Sequence, residues 1–399
     1  MKKNISYGKN VYDNNEIQAV VKTLKKSTQM GVSVDNFEKK VSKLCGKKYG
    51  LMVNSGSSAL ILAIKSLNLK NGSEIITPCL NFGTTISSIL LNCCIPILVD
   101  VNIRTLQIDI DILEKKISKK TKAIMLINVL GNSSDLFKIK KIAKKNKLII
   151  IEDNCESLGS KLKKKYLGSF GDFGTFSFYY SHQITSGEGG MVVCKTREDY
   201  EILFALRSHG WLGGTRFYKR NLSKYNLYAK KNPKLDPRYI FINSGFNLRP
   251  TDIQAAIAHN QFKRLENLKK NREINRKLII KKLKKSKLWK NQFEFINPSK
   301  NINPSWMGLP ILISKKFKHK KKKFINFLDQ AGIETRPIIS GSFINQPASK
   351  LYNLNPKNEK FKNAQIIQDL GFIIGLHTKK ISYKQLNFIH DNFFMIDKI

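Results

Sequence analysis

The stretch Gly50-Leu51-Met52-Val53-Asn54-Ser55-Gly56-Ser57-Ser58-Ala59 reads as a short apolar strand, then a turn of small residues, then the start of a helix-like run over 59–67. Outward from it the same alternation recurs. Strands are expected over 74–77, 95–99, 123–129 and 148–152, separated by helical patterns over 83–91, 110–117 and 136–145. Strands alternating with helices in this way define an α/β fold with a mainly parallel sheet. Upstream lie helices over 16–27 and 35–44. Downstream, strands over 174–179 and 190–195 bracket a loop containing Ser181-His182-Gln183. A helix over 197–208 leads into a loop of roughly thirty residues rich in Gly, Asn, Lys, Pro and Tyr, a length that in compact domains usually carries function. A long helical segment over 251–283, a strand over 307–313 and a helix over 320–331 read as a smaller α+β domain. The expected organisation is a large domain with an N-terminal arm over 1–255 and a small C-terminal domain over 256–399.

Composition narrows the class. The 399 residues carry 71 Lys+Arg against 29 Asp+Glu, a formal net charge of +42, yet 41% are apolar, which argues for folded domains rather than a disordered polycation. The lysines form short clusters at 138–147, 163–165 and 315–323, each beside or within an amphipathic segment, and the solvated-face reading fits them better than a nucleic-acid surface. No apolar run approaches the ~20 residues of a membrane helix. The N-terminal Met1-Lys2-Lys3-Asn4-Ile5-Ser6-Tyr7-Gly8 has no apolar core of signal-peptide length, so a cytoplasmic location and no membrane partner are expected. Cys45, Cys79, Cys93, Cys94, Cys155 and Cys194 include no Cys-x-x-Cys pair, which indicates neither a metal site nor a disulfide scaffold.

Four local features carry chemistry, each with a plain structural alternative. The turn at 54–58 allows close backbone approach and offers helix N–H groups to a phosphate, although Gly and Ser also make ordinary caps. Ile149-Ile150-Ile151-Glu152-Asp153-Asn154 is an apolar strand ending in a carboxylate, where ligand sites of open α/β sheets lie; Asp153 could hold a protonated heteroaromatic nitrogen or merely cap a loop. His182 sits in a Gly- and Ser-rich turn between two buried strands, with a structural histidine as the alternative. Gly245-Phe246-Asn247-Leu248-Arg249-Pro250-Thr251 feeds a helix and could be no more than its start.

Taken in this order, the blocks resemble the DegT/StrS-type sugar aminotransferases, pyridoxal-phosphate proteins of the aspartate-aminotransferase fold (fold type I). The resemblance runs from Gly31-Val32-Ser33-Val34-Asp35-Asn36-Phe37-Glu38 to Gly371-Phe372-Ile373-Ile374-Gly375-Leu376-His377. It implies phosphate contacts from Gly56, Ser57, Ser58 and Ser177, with Asn247 reaching the phosphate of a neighbouring subunit in a homodimer with shared sites. It further implies Phe82 stacked on the pyridine ring, Asp153 paired with the ring nitrogen and Glu156 near the cofactor hydroxyl.

One position departs from the aminotransferase pattern. The family places its cofactor-linking lysine four residues beyond Phe178, and this sequence has His182 there. An imidazole cannot form that covalent link, but it is a good acid/base near neutral pH. With Met30-Gly31, His209-Gly210-Trp211 and Thr335-Arg336-Pro337-Ile338, this looks like the GDP-4-keto-6-deoxymannose 3-dehydratase branch. The resemblance implies pyridoxal and pyridoxamine phosphate as cofactor, glutamate as amino donor, a nucleotide-sugar substrate, surface-polysaccharide biosynthesis and His182 as the catalytic group. His209 and Arg336 are candidate substrate contacts. No cysteine follows Cys194, so the iron-sulfur cluster of a related dehydrase is not expected, and no metal is. Gln183 stands where the branch commonly has a second histidine, and Leu212-Gly213-Gly214-Thr215-Arg216 is longer and richer in glycine than the branch's polar run. The rival readings are an aminotransferase using Lys161 or Lys195, a non-catalytic cofactor-fold protein and a nucleic-acid binder.

Overall fold

The computed structural model describes residues 5–8, 11–211, 223–236 and 239–399, so the run 212–216 lies outside the described residues. The central sheet has seven strands in the order β1-β9-β8-β5-β4-β2-β3. They are β1 (Tyr49–Val53), β2 (Glu74–Pro78), β3 (Ile95–Val99), β4 (Thr121–Ile127), β5 (Ile149–Asp153), β8 (Phe173–Ser177) and β9 (Gly190–Cys194). All neighbours from β3 across to β8 pair in parallel, while β9 runs antiparallel to both β8 and β1.

Period-2 alternation explains why these strands read as unbroken apolar runs. Ile75, Ala123, Met125 and Ile151 join one buried cluster, whereas Ile76, Ile124, Leu126 and Ile150 join another. Successive side chains therefore enter two different cores, and helices cover both faces of the sheet. Among the helices, α3 (Gly56–Lys65) and α4 (Gly83–Leu90) start at the site, while α1 (Asn14–Leu24) packs on the helix Asp252–Lys263 and α2 (Val32–Leu44) on β1.

Beyond the central sheet, β10 (Phe293–Phe295), β12 (Gly308–Ile313), β14 (Gly371–Gly375) and β13 (Thr335–Arg336) form an antiparallel sheet in that order. Its apolar face packs with Phe324, Leu328, Phe393 and Ile279 of three flanking helices. A small sheet of β6 (Lys161–Leu162), β7 (Lys165–Tyr166) and β11 (Ile302–Asn303) joins the earlier and later parts of the chain. Near the N-terminus, Ile5 makes a parallel bridge with Ile333. The expected division at 255/256 falls inside the helix Asp252–Lys263.

Three expectations need correction. The helical segment over 251–283 is two helices, Asp252–Lys263 and Leu265–Lys284, parted at Arg264 with φ −99° and ψ 0°. Arg264 turns aside to bond Asp13 and Glu16, an anchorage that a straight helix gives no hint of in periodicity. The long loop after residue 208 contains the helix Ser223–Lys231. The strand expected over 123–129 stops at Ile127, because Leu130 adopts a left-handed φ of 54° and donates its N–H to Glu156 Oε2 at 2.8 Å.

Candidate active site

The small-residue turn is built from its own side chains. Ser55 is extended and caps α3, its Oγ accepting from the Ser58 N–H at 3.1 Å. Ser58 Oγ donates to Asn54 Oδ1 at 2.6 Å, so this hydroxyl is spent inside the turn. Gly56 and Ser57 are left facing a cavity of about 820 Å³. A Cβ at Gly56 would stand 2.7 Å from Ser177 Cβ and 3.0 Å from Cys155 Sγ, so only glycine lets the helix start approach the end of β8. The first turn of α3 thus presents N–H groups and the positive end of its dipole to the cavity.

At the cavity floor, strand alternation separates two adjacent carboxylates. Glu152 points away and accepts N–H bonds from Gly168, Phe170 and Gly171 at 2.8, 2.7 and 2.6 Å, a purely structural use. Asp153 points in, accepting from Cys155 N at 3.1 Å and from Thr85 Oγ1 at 3.2 Å. Burial pushes its carboxyl above the ordinary value, with only the Cys155 and Thr85 hydrogen bonds opposing. A buried carboxylate in that condition is stabilised by any cationic group placed against it, a protonated pyridine nitrogen included. Phe82, at the start of α4, lines the cavity with its side chain 60% exposed, an aromatic face open to a flat partner. Glu156 is raised to about 7, first by burial, with Asp153 adding to the rise and the Leu130 N–H opposing it.

His182 enters from the loop between β8 and β9 and lines the same cavity. Burial lowers its imidazole to about 4; the Ser177 carbonyl opposes this and the Arg272 charge adds to it. The ring is therefore a neutral base near pH 7. It stands edge-on to Tyr179 at 5.8 Å, and its Nδ1 is buried without a well-formed hydrogen bond. Gln183 faces away, its Nε2 donating to the Ser305 carbonyl at 2.9 Å and to the Glu156 carbonyl. Arg336 also lines the cavity, bonded to Glu334 and 5.3 Å from the Tyr7 ring.

Among the described residues lining the cavity there is no lysine. Lys161 lies in β6 with its amine 4.3 Å from the Tyr166 ring, and Lys195 follows β9 as an exposed residue. Asn247 and His209 do not line the cavity either. They form an exposed cluster in which Arg249 Nε donates to Asn247 Oδ1 at 3.1 Å and Arg249 Nη2 lies 3.3 Å from His209 Nε2. Tyr7, Thr85, Cys155 and Tyr179 line the cavity and had no signal in the sequence beyond adjacency to the blocks. Tyr7 is brought there by the Ile5–Ile333 bridge, by the bond from its N–H to Glu334 Oε2 at 3.1 Å and by the Tyr180 hydroxyl donating to the Gly8 carbonyl at 2.9 Å.

A mainly parallel seven-stranded sheet with this cavity at its strand ends is the large-domain architecture of aspartate-aminotransferase-like proteins, the type I fold of pyridoxal-phosphate enzymes. Within that class, the chain belongs to the DegT/DnrJ/EryC1/StrS aminotransferase family, which matches residues 10–386. The GDP-4-keto-6-deoxy-D-mannose 3-dehydratase of Escherichia coli O55:H7 is 34% identical over 384 residues, covering 94% of this chain and 95% of that protein. The GDP-perosamine synthase of Escherichia coli O157:H7 is 30% identical over 343 residues, covering 86% and 83%. A crystal structure of GDP-4-keto-6-deoxymannose-3-dehydratase with a trapped PLP-glutamate geminal diamine superimposes with a TM-score of 0.86 at 31% identity, covering 97% of this chain and 99% of that one. Among the described residues no group of three or more His, Cys, Asp and Glu could hold a metal ion, and no helix is long and apolar enough to cross a membrane.

Proposed function

We propose that this protein is a pyridoxal/pyridoxamine-phosphate-dependent enzyme acting on nucleotide sugars, and that its reaction is C3 dehydration of a nucleotide-linked 4-keto-6-deoxyhexose with glutamate as amino donor. Family membership and the relatives above support the broader statement. The observation that carries the finer one is a cavity with no lysine among its described lining residues and the neutral imidazole of His182 in it.

The residues fit the cofactor. Gly56, Ser57 and the Ser177 hydroxyl would hold its phosphate, with Ser58 acting through its place in the cap. Asp153 would hold the ring nitrogen, Phe82 would cover the ring face, and Glu156 would meet the ring hydroxyl. When bound, the cofactor supplies an electron sink for the carbon attached to its nitrogen. Asp153 would keep that sink effective by holding the ring proton, since burial raises its carboxyl and a cation against it would relieve that cost. His182 would act as the acid/base of the site, accepting a proton at its imidazole and delivering one to the C3 hydroxyl of the sugar, which would leave as water. With no lysine among the described residues of the cavity, none of them could supply the covalent route that returns an aminotransferase to its resting form. Arg336 would meet an anion, either a donor carboxylate or a substrate phosphate. Asn247, with His209 beside it, would serve the site of a second copy of the chain in a homodimer.

A second reading, amination of the sugar, is favoured by the 30% identity to a perosamine synthase. Product mass separates the two. Nucleotide-linked 4-keto-6-deoxyhexoses incubated with protein, pyridoxal phosphate and glutamate are expected to yield a sugar lighter by one oxygen atom, with ammonia released. A stable amino sugar would establish amination instead, and no turnover of any keto-sugar would leave a non-catalytic protein.

A further inference from the structure

The loop that carries His182 is held from behind by one side chain. Arg272, on the helix Leu265–Lys284, is buried at 5% exposure. Its Nη2 donates to the His182 carbonyl at 3.0 Å, its Nη1 to the Gln183 carbonyl at 3.1 Å and its Nε to the Leu376 carbonyl at 3.4 Å. All three partners are main-chain oxygens, and none is a carboxylate. Burial alone pulls its guanidinium down to about 10. A buried cation with no counter-ion among the described residues is costly, so a tether of this kind is an expensive way merely to close a loop. The planar fork does what a point charge cannot: it fixes two successive peptide carbonyls and a third from another element in one rigid arrangement. Gln183 secures the same segment from the other side through the Ser305 carbonyl.

We propose that Arg272 is a positioning residue for His182. Its guanidinium locks the backbone at 182 and 183 to Leu376, just past β14, so that the imidazole is presented to the cavity in a single orientation. The proposal rests on the reading of His182 as the proton-transfer group.

The test uses full-length Arg272→Lys, which keeps a cation but loses the fork, and Arg272→Gln as a second variant should the first fail to fold. Three quantities are measured: pyridoxal-phosphate affinity, kcat and KM, and the rate at which diethylpyrocarbonate modifies His182, read by peptide mass spectrometry. The expected result is a kcat lowered between about tenfold and a hundredfold, with KM and cofactor affinity within about twofold of wild type. The His182 labelling rate should change while that of exposed His209 does not. Wild-type kcat together with wild-type His182 labelling would overturn the proposal. So would a fall in kcat matched by an equal fall in cofactor affinity, which marks a general structural role. Should wild-type protein turn over no keto-sugar, the dehydratase reading fails separately; altered His182 labelling then still supports the positioning role, and unaltered labelling still overturns it.

Discussion

At the scale of single residues, His182 is the position on which the chemistry turns. His182→Lys places an amine where the family's lysine stands, and the variant is expected to show a borohydride-reducible bond to pyridoxal phosphate that wild type lacks. Product analysis should then shift from the deoxygenated sugar towards the amino sugar. A reducible bond already present in wild type would sink the histidine mechanism. Glu156 sets a second test. Its folded value is raised from 4.5 to about 7, so in the cofactor-free protein it adds stability that is complete at low pH and is lost as pH rises through about 7. His182, lowered from 6.5 to about 4, works in the opposite sense, costing stability as pH falls below about 6.5. Comparing Glu156→Gln with wild type isolates the carboxyl, because His182 is common to both. The melting temperature of the variant minus that of wild type should therefore rise between about pH 5 and pH 8. A flat difference would show that Glu156 titrates normally.

At the scale of elements, the start of α3 and the end of β8 form one unit. Gly56→Ala puts a methyl 2.7 Å from Ser177 Cβ, and Gly190 is equally constrained, since a Cβ there would lie 2.2 Å from the Ser55 carbonyl. For Gly56→Ala we expect pyridoxal-phosphate affinity to drop about tenfold or more, a loss of at least ~1.4 kcal/mol, from displacement of the phosphate-facing N–H groups. Inorganic phosphate should compete less well for the variant than for wild type in fluorescence titrations; equal competition would place the phosphate elsewhere. These strand-to-helix turns were legible from residue order alone, because small residues after an apolar run have few other uses. The break at Arg264 was not, since the residues on both sides keep helical periodicity and only the distant Asp13 and Glu16 draw the arginine away. The β10 and β13 strands were equally hidden: at three and two residues they are too short for a periodic signal.

At the scale of the whole molecule, Asn247 and His209 lie on the surface next to Phe241 and Phe246, which are 60% and 39% exposed. On α1, Ile17, Val21 and Leu24 leave an apolar stripe uncovered at 58%, 46% and 56%. A second copy of the chain would bury such surfaces and bring Asn247 to the other copy's phosphate site. Mixing inactive Asn247→Ala with inactive His182→Asn protein should then regenerate activity, because mixed dimers contain one site intact in both positions. No recovery after subunit exchange would mean that each chain uses its own Asn247. The formal +42 is a property at this scale too. It draws anionic nucleotide sugars towards the surface at low salt, while the cavity itself holds no described lysine.

The sequence by itself determined the βα alternation, the family and the order of the chemical blocks. Local rules decide those: apolar runs of strand length, small residues at turns, and a carboxylate at a strand end. It also exposed the exchange of lysine for His182, which depends on residue identity at one position. Only the tertiary structure gave Glu152 its structural partners away from the cavity, turned Ser58 into the cap and Gly56 to the cavity, and brought Tyr7 and Arg336 to the cavity that His182 lines, with Arg272 behind it. Those outcomes depend on which face of a strand meets a cavity and on contacts between residues tens to hundreds of positions apart, neither of which a local pattern encodes.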